Sequence, residues 1–244
     1  MKRIASIVLA LVLLLPSSVF AADIMVAQAA NFMPAMKEII PAFEAKTGLT
    51  VQATYTSTGK LYGQIVNGAP FDLFLAADQR RPEALFAKEL CEKPFVYAKG
   101  QIVLWTKKKN LCAMEWTSAL KDPSVSKIAI ANTETAPYGT SAMNALKSAG
   151  LWESMKSELV YGQSIAQVFQ YASTGAADVG LCAFSSVFTE EGQKGCYTLI
   201  ELAPPVVQAA CVLKKAANDK NVARFVEFLG SDEVAAIKKK YGYK

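Results

Sequence analysis

The feature that most limits the folds open to this chain is a unit that recurs along it: a short apolar strand, a small or polar turn, and at once a helix. Ile24 to Ala27 reads as a buried strand feeding a helical pattern in which Phe32, Met36, Ile39, Ile40 and Phe43 return at three- and four-residue spacing. Gly48 stops that helix, Leu49 to Tyr55 alternates as a strand, and Ser57, Thr58 and Gly59 lead into a helix through Asn67. Phe71 to Ala76 is apolar enough to be buried on both faces, and Pro82 to Lys88 follows as a helix.

A second run of the same signals follows the polar stretch Lys107 to Asn110. Strands are expected at 127–131, 159–161 and 178–183, with helices at 116–121, 139–150 and 164–173. Terminal helices carry Val222, Phe225, Val226 and Leu229 on one face. Alternation of this kind predicts an α/β fold whose sheets are mostly parallel and flanked by helices. Two further strands, Ile102 to Thr106 and Val206 to Leu213, are expected to cross between the halves and act as a hinge. The expected division is a first lobe of residues 22–103 and 208–244 and a second lobe of residues 104–207.

The start of the chain is set aside from the fold. Lys2 and Arg3 precede an apolar run from Ile4 to Pro16 and then small residues through Ala22, the pattern of a secretory leader. A cut after Ala21, with Val19 third from the end, satisfies the small-residue rule, so residues 1–21 are expected to be removed and the protein exported. Losing Lys2 and Arg3 takes the net charge from +5 to +3. The remaining bases are scattered, which disfavours nucleic acid as a partner.

The sequence contains no histidine, and that removes every nucleophile arrangement built on a histidine base. The five cysteines, at positions 91, 112, 182, 196 and 211, include no CxxC pair. Zinc and haem sites therefore lack their ligands. An odd count leaves at least one thiol unpaired within the chain. Cys91 with Cys112 and Cys182 with Cys196 are candidate disulfides on proximity in sequence, though spacing alone does not fix connectivity.

Four strand-to-helix turns share one design: Ala29 to Asn31, Ser57 to Gly59, Pro137 to Gly139, and Gln163 to Ile165. Each helix start leaves backbone N–H groups without intrahelical acceptors at the positive end of the helix dipole. Asn31, Ser57, Thr58, Tyr138 and Ser164 add neutral donors, and Gly59 and Gly139 let backbone approach closely. Taken singly, such residues are ordinary helix caps. Two in each lobe, at the carboxyl ends of parallel strands, instead describe one cleft that receives an anion. Asp72 and Asp78 are read as structural, because a carboxylate aimed at a dianion repels it.

In order and spacing these residues resemble the periplasmic molybdate-binding proteins of ABC importers. The segments that carry the resemblance are Ala29 to Asn31 with Ala35 and Met36, and Ser57 to Leu61 with Gln64 and Ile65. To these add GAPFDLFLAAD from Gly68 to Asp78, Ala136 to Gly139, Gly175 to Gly180, and Lys239 to Gly242. The resemblance implies a two-lobed type II periplasmic-binding fold. It further implies molybdate or tungstate held by uncharged donors, with molybdenum or tungsten present only inside the oxyanion and no protein-metal bond.

Carried over by position, the ligand-contacting places are Ala30, Asn31, Ser57 or Thr58, Tyr138 and Ile165. Some members use a tyrosine on a later strand where this chain has Ala183; members with a tyrosine at the place of Tyr138 do without it. The resemblance also implies a monomer in the periplasm that hands its cargo to inner-membrane permease subunits, with no cofactor and no catalysis. Another tetrahedral oxyanion such as sulfate or phosphate stands as the alternative ligand. An exported enzyme would need a base paired with its nucleophile, and a receptor for ferric ion or an organic acid would need converging tyrosines and carboxylates or an arginine clamp.

Overall fold

The computed structural model describes residues 22–244, and the expected leader, residues 1–21, lies outside them. The chain begins with β1 (Ile24–Ala29), a 3-10 turn (Ala30–Phe32), α1 (Met33–Thr47), β2 (Val51–Thr56), α2 (Thr58–Val66), β3 (Leu73–Leu75), α3 (Arg80–Phe86) and β4 (Phe95–Gly100). It continues with β5 (Ile102–Thr106), α4 (Trp116–Leu120), β6 (Ile128–Ala131), α5 (Pro137–Ser148), α6 (Trp152–Met155) and β7 (Leu159–Gly162). The remainder is α7 (Ile165–Thr174), β8 (Val179–Ala183), β9 (Cys196–Leu199), β10 (Val206–Val212), α8 (Lys220–Leu229) and α9 (Asp232–Lys240).

These strands form two five-stranded sheets, ordered β2-β1-β3-β10-β4 and β7-β6-β8-β5-β9. In the first, β1 pairs in parallel with β2 and β3, while β10 runs antiparallel between β3 and β4. The second repeats the plan: β6 is parallel to β7 and β8, and β5 runs antiparallel between β8 and β9. The parallel strands carry the apolar runs seen in the sequence because helices cover both faces. Thus β3, β6 and β8 are buried along their whole length, as is the antiparallel but central β5. Helix α1 turns Ala35, Met36, Ile39 and Phe43 inward, and Phe43 meets Phe225 of α8 edge to face at 4.9 Å between ring centroids. The C-terminal helices thereby complete the first lobe.

Two features depart from the sequence expectation. Each expected crossing strand belongs wholly to one sheet: the chain passes from β4 to β5 through Gln101 alone and returns through 200–205 between β9 and β10. The strand signals at 102–106 and 206–213 belong to one sheet each, whereas the passages themselves are too short and irregular to leave a periodic signal. Strands β4 and β9 also went unforeseen. Both are sheet edges, half solvated at Val96, Tyr197 and Leu199, so neither carries a buried strand's apolar run.

The single disulfide among the described residues is Cys112–Cys196, which is neither candidate pair. It joins the polar segment after β5 to the start of β9, where Cys196 sits opposite Thr106 in the ladder. Cys182 is on a central strand facing the core, and Cys91 bridges to Leu213 beside Cys211; all three are buried free thiols. Unfolding the protein without reductant is expected to expose three titratable thiols, and five after reduction. Because the bridge closes a span of 84 residues, its reduction should lower the unfolding free energy by about 2–5 kcal/mol. Mass spectrometry of alkylated protein and urea melts with and without reductant check both expectations.

Candidate functional site

The turns singled out in the sequence come together between the lobes. A small cavity is lined by Ala29, Ala30, Asn31, Thr56, Ser57, Thr58 and Ala77 from the first lobe. The second lobe supplies Ala136, Pro137, Tyr138 and Ile165. All six sequence-derived positions, Ala30, Asn31, Ser57, Thr58, Tyr138 and Ile165, therefore share one wall system. No charged side chain lines it.

The local chemistry explains why each element starts there. β1 and β2 end side by side, with Ala29 in register with Thr56, so the 3-10 turn at Ala30 and the start of α2 emerge together. From the other lobe α5 starts at Pro137 and α7 at Ile165, both just beyond the ends of parallel strands. Gly139 lets α5 sit directly on the end of β6, since a Cβ there would lie 2.3 Å from the Ala131 carbonyl oxygen. Small residues at 29, 30 and 77 let the first lobe's edge pack into the second lobe's core.

Ser57 occupies the N-cap position of α2 but makes no capping bond. It is 3 % exposed, and its Oγ has no partner in the protein. A buried hydroxyl left this way costs on the order of 1–3 kcal/mol, so it is free to meet a partner from outside the chain. Thr58 is used differently: its Oγ1 accepts from the Ala77 N–H at 3.0 Å and keeps its proton to donate. Ser164, expected among the donors, instead caps α7 by accepting from the Gln167 N–H at 3.4 Å and does not line the cavity.

The amide of Asn31 also departs from expectation. Its Nδ2 donates to Gln208 Oε1 at 2.7 Å and to the Tyr243 hydroxyl at 3.1 Å, which uses both protons away from any ligand. What Asn31 can offer an anion is the first-turn backbone N–H. Its own carbonyl accepts from Ser185 Oγ and from the Tyr243 hydroxyl, both at 2.7 Å. Ala183 is buried at the end of β8, pairs with Ile102 and is not part of the wall.

Tyr138 is the only titratable group in the lining. Burial raises its phenol well above the ordinary value near 10, and the neighbouring Tyr243 and Tyr97 push the same way. The phenol accordingly stays neutral. It accepts from Gln208 Nε2 at 3.3 Å.

Several participants were not visible in the sequence. Arg81, on α3, is buried beside the cavity, paired with Asp78 and donating through Nη2 to the Glu134 carbonyl oxygen of the other lobe at 2.7 Å. Asp78 also accepts from the Arg81 N–H at 3.0 Å in the first turn of α3 and so holds the guanidinium that reaches the other lobe, while Asp72 accepts from the Met25 N–H and pairs with Lys215. Gly59 N–H donates across the cleft to the Thr135 carbonyl oxygen at 2.7 Å. The guanidinium is neutralised by its carboxylate and stands outside the lining.

Comparison with known proteins agrees with this architecture. The family model described as bacterial extracellular solute-binding protein matches residues 24–244. The chain is 39 % identical over 236 residues to the molybdate-binding protein ModA of Azotobacter vinelandii, covering 94 % of this chain and 93 % of that one. It is 35 % identical over 243 residues to the molybdate-binding protein ModA of Rhodobacter capsulatus, covering 99 % and 96 %. Among solved structures, the Azotobacter vinelandii periplasmic molybdate-binding protein superposes with a TM-score of 0.84 at 29 % identity, covering 91 % of this chain and 98 % of that one.

Proposed function

The chain belongs to the bacterial extracellular solute-binding protein family, and from that premise we propose that it captures molybdate, and tungstate with it, for an ABC importer. The relatives whose names state molybdate binding match nearly end to end, which supports the ligand class. The observation that carries the reading is the Ser57 hydroxyl: buried, turned off its helix, and without a partner in a cavity free of charged side chains.

The mechanism follows from the donors. Three helices of nine residues or more, α2, α5 and α7, start at the cavity, and the turn into α1 joins them. Of their first-turn N–H groups, that of Gly59 goes to Thr135, that of Gly139 to Ala136 and that of Gln167 to Ser164, which leaves those of Thr58, Tyr138 and Ile165 for a dianion at the positive ends of the helix dipoles. Hydroxyls of Ser57 and Thr58 complete the set. Ala30, Asn31, Ser57, Thr58, Tyr138 and Ile165 are the proposed contacts, drawn from both lobes, so binding and closure are one event. Permease subunits in the inner membrane would read the closed form. No proton transfer or bond cleavage enters this scheme, and no cofactor is needed.

The proposed setting is the periplasm, reached through a leader cleaved after Ala21, with a monomer as the working unit. The division expected at residues 22–103 with 208–244 and residues 104–207 moves at both bounds to the passages, Gln101 and 200–205, because β5 and β10 each lie wholly in one sheet. Selection within the class is by size, since neutral donors at fixed positions favour the larger molybdate and tungstate over sulfate. Isothermal titration should give micromolar or tighter binding of molybdate and tungstate at one per chain, with sulfate far weaker. Tight sulfate binding with no molybdate heat would overturn the assignment. Because Tyr138 remains neutral, molybdate affinity should also stay flat between about pH 7 and about pH 9.

A further inference from the structure

Behind the cavity wall lies a buried polar residue that does not line the site but touches both of its halves. Gln208, on β10, is fully buried. Its Oε1 accepts from Asn31 Nδ2 at 2.7 Å and from the Tyr97 hydroxyl at 3.1 Å, and its Nε2 donates to the Tyr138 hydroxyl at 3.3 Å. Asn31 is in the first lobe's wall and Tyr138 in the second's.

The location sharpens the point. Gln208 stands two residues beyond Val206, where the chain re-enters the first sheet, and Val206 pairs with Gly100, the last residue before the opposite passage at Gln101. A Cβ on Gly100 would lie 2.0 Å from the Tyr138 hydroxyl and 2.7 Å from Gln208 Nε2. The two strands that flank the hinge thus form a socket, open because residue 100 has no side chain, and the Tyr138 phenol reaches across the lobes into it.

We infer that Gln208 is a positioning residue for the oxyanion site. Its amide ties Asn31 to Tyr138 through this socket, so the two walls take their ligand-bound spacing together. Gln208 itself does not touch the ion. A buried primary amide is costly unless its donor and acceptor are both used, and here one amide uses them on opposite lobes. The inference rests on the oxyanion-receptor reading.

The test is a double-mutant cycle with Gln208→Leu and Tyr138→Phe, read by molybdate titration and stopped-flow dissociation. Tyr138→Phe keeps the ring and the backbone N–H and removes only the hydroxyl. Each single variant should weaken binding by about 10-fold, the scale of one buried hydrogen bond, mainly through faster dissociation. The double variant should be no weaker than the weaker single, within about 3-fold, because both changes cut the same link. Multiplicative losses, or Gln208→Leu binding within about 2-fold of wild type, would overturn the inference.

Gly100→Ala gives an independent arm should Gln208→Leu not fold. It should weaken binding strongly in the wild-type background and less in the Tyr138→Phe background, where the colliding oxygen is gone and the Gln208 amide, no longer bonded to it, can turn away from the new methyl. Equal losses in both backgrounds would again overturn the inference. Failure of the wild-type protein to bind any of molybdate, tungstate or sulfate would instead sink the receptor reading beneath it, so the two failures are told apart.

Discussion

Replacing Ser57 by aspartate is expected to abolish molybdate binding, with a loss of at least about 1,000-fold, while leaving the ligand-free protein as stable as wild type. The Ser57 hydroxyl is at the N-cap of α2 and caps nothing. Aspartate is among the best N-cap residues and is favoured by the helix dipole, so the variant gains a capping bond and keeps its charge. That charge then stands where an oxygen of the dianion would be. A single and a double negative charge about 4 Å apart repel by about 2 kcal/mol under water's full screening and about 8 kcal/mol at an effective dielectric near 20. The buried wall is closer to the second case. Ser57→Ala is the control: it removes one donor and should cost about 10-fold or less. Calorimetric titration of both, beside thermal melts of the ligand-free proteins, separates charge from fold. Binding by Ser57→Asp within about 10-fold of wild type would mean that the ion does not sit against residue 57.

That prediction draws on residues the sequence makes visible, and the reason is physical. Strands buried on both faces and helices with one apolar face leave periodic signals, and β1, β3, β6 and β8 are such strands. The turns at Ala30, Ser57, Tyr138 and Ile165 are legible because a helix start directly after a parallel strand is a local pattern. What a local pattern does not give is the use made of each side chain. Ser57 and Ser164 look alike in the sequence, yet one is unpartnered in the cavity and the other caps its helix. The difference is decided by which side of the first turn faces the opposite lobe.

Tyr243 and Arg81 left no signal at all, and Gln208 left a single one. Their roles depend on contacts spanning 177 residues from Asn31 to Gln208, 212 from Asn31 to Tyr243, and 53 from Arg81 to Glu134. A glutamine inside the apolar strand Val206–Val212 was the one available hint, since a buried amide needs partners on both its ends. The disulfide illustrates the same limit: Cys112 and Cys196 are 84 residues apart and meet only because β9 pairs with β5.

Gly59→Val is expected to hold the lobes apart. With the lobes in contact as they are here, a Cβ at residue 59 would lie 2.9 Å from both the Cα and the carbonyl oxygen of Thr135, and 3.0 Å from Arg81 Nη2. Thr135 belongs to the second lobe and presents backbone there, so relief requires the lobe itself to move. The same movement breaks the Gly59 N–H bond to Thr135 and draws Glu134 away from Arg81. In an open form these contacts are absent, and valine within a helix is no worse than glycine, so the ligand-free melting temperature should be unchanged or slightly raised. Molybdate affinity should fall by at least about 100-fold, because only one lobe's donors remain in reach and the affinity difference that drives closure is lost. Small-angle scattering should show wild type contracting when molybdate is added and Gly59→Val keeping its ligand-free radius of gyration. Tight binding with normal contraction would show that the Gly59 to Thr135 contact is not part of closure. Ser57→Asp tests whether the ion is held by neutral donors in the first lobe's wall, and Gly59→Val tests whether that wall binds tightly without its counterpart. A receptor whose signal is its closed shape must lose function in both, for different reasons.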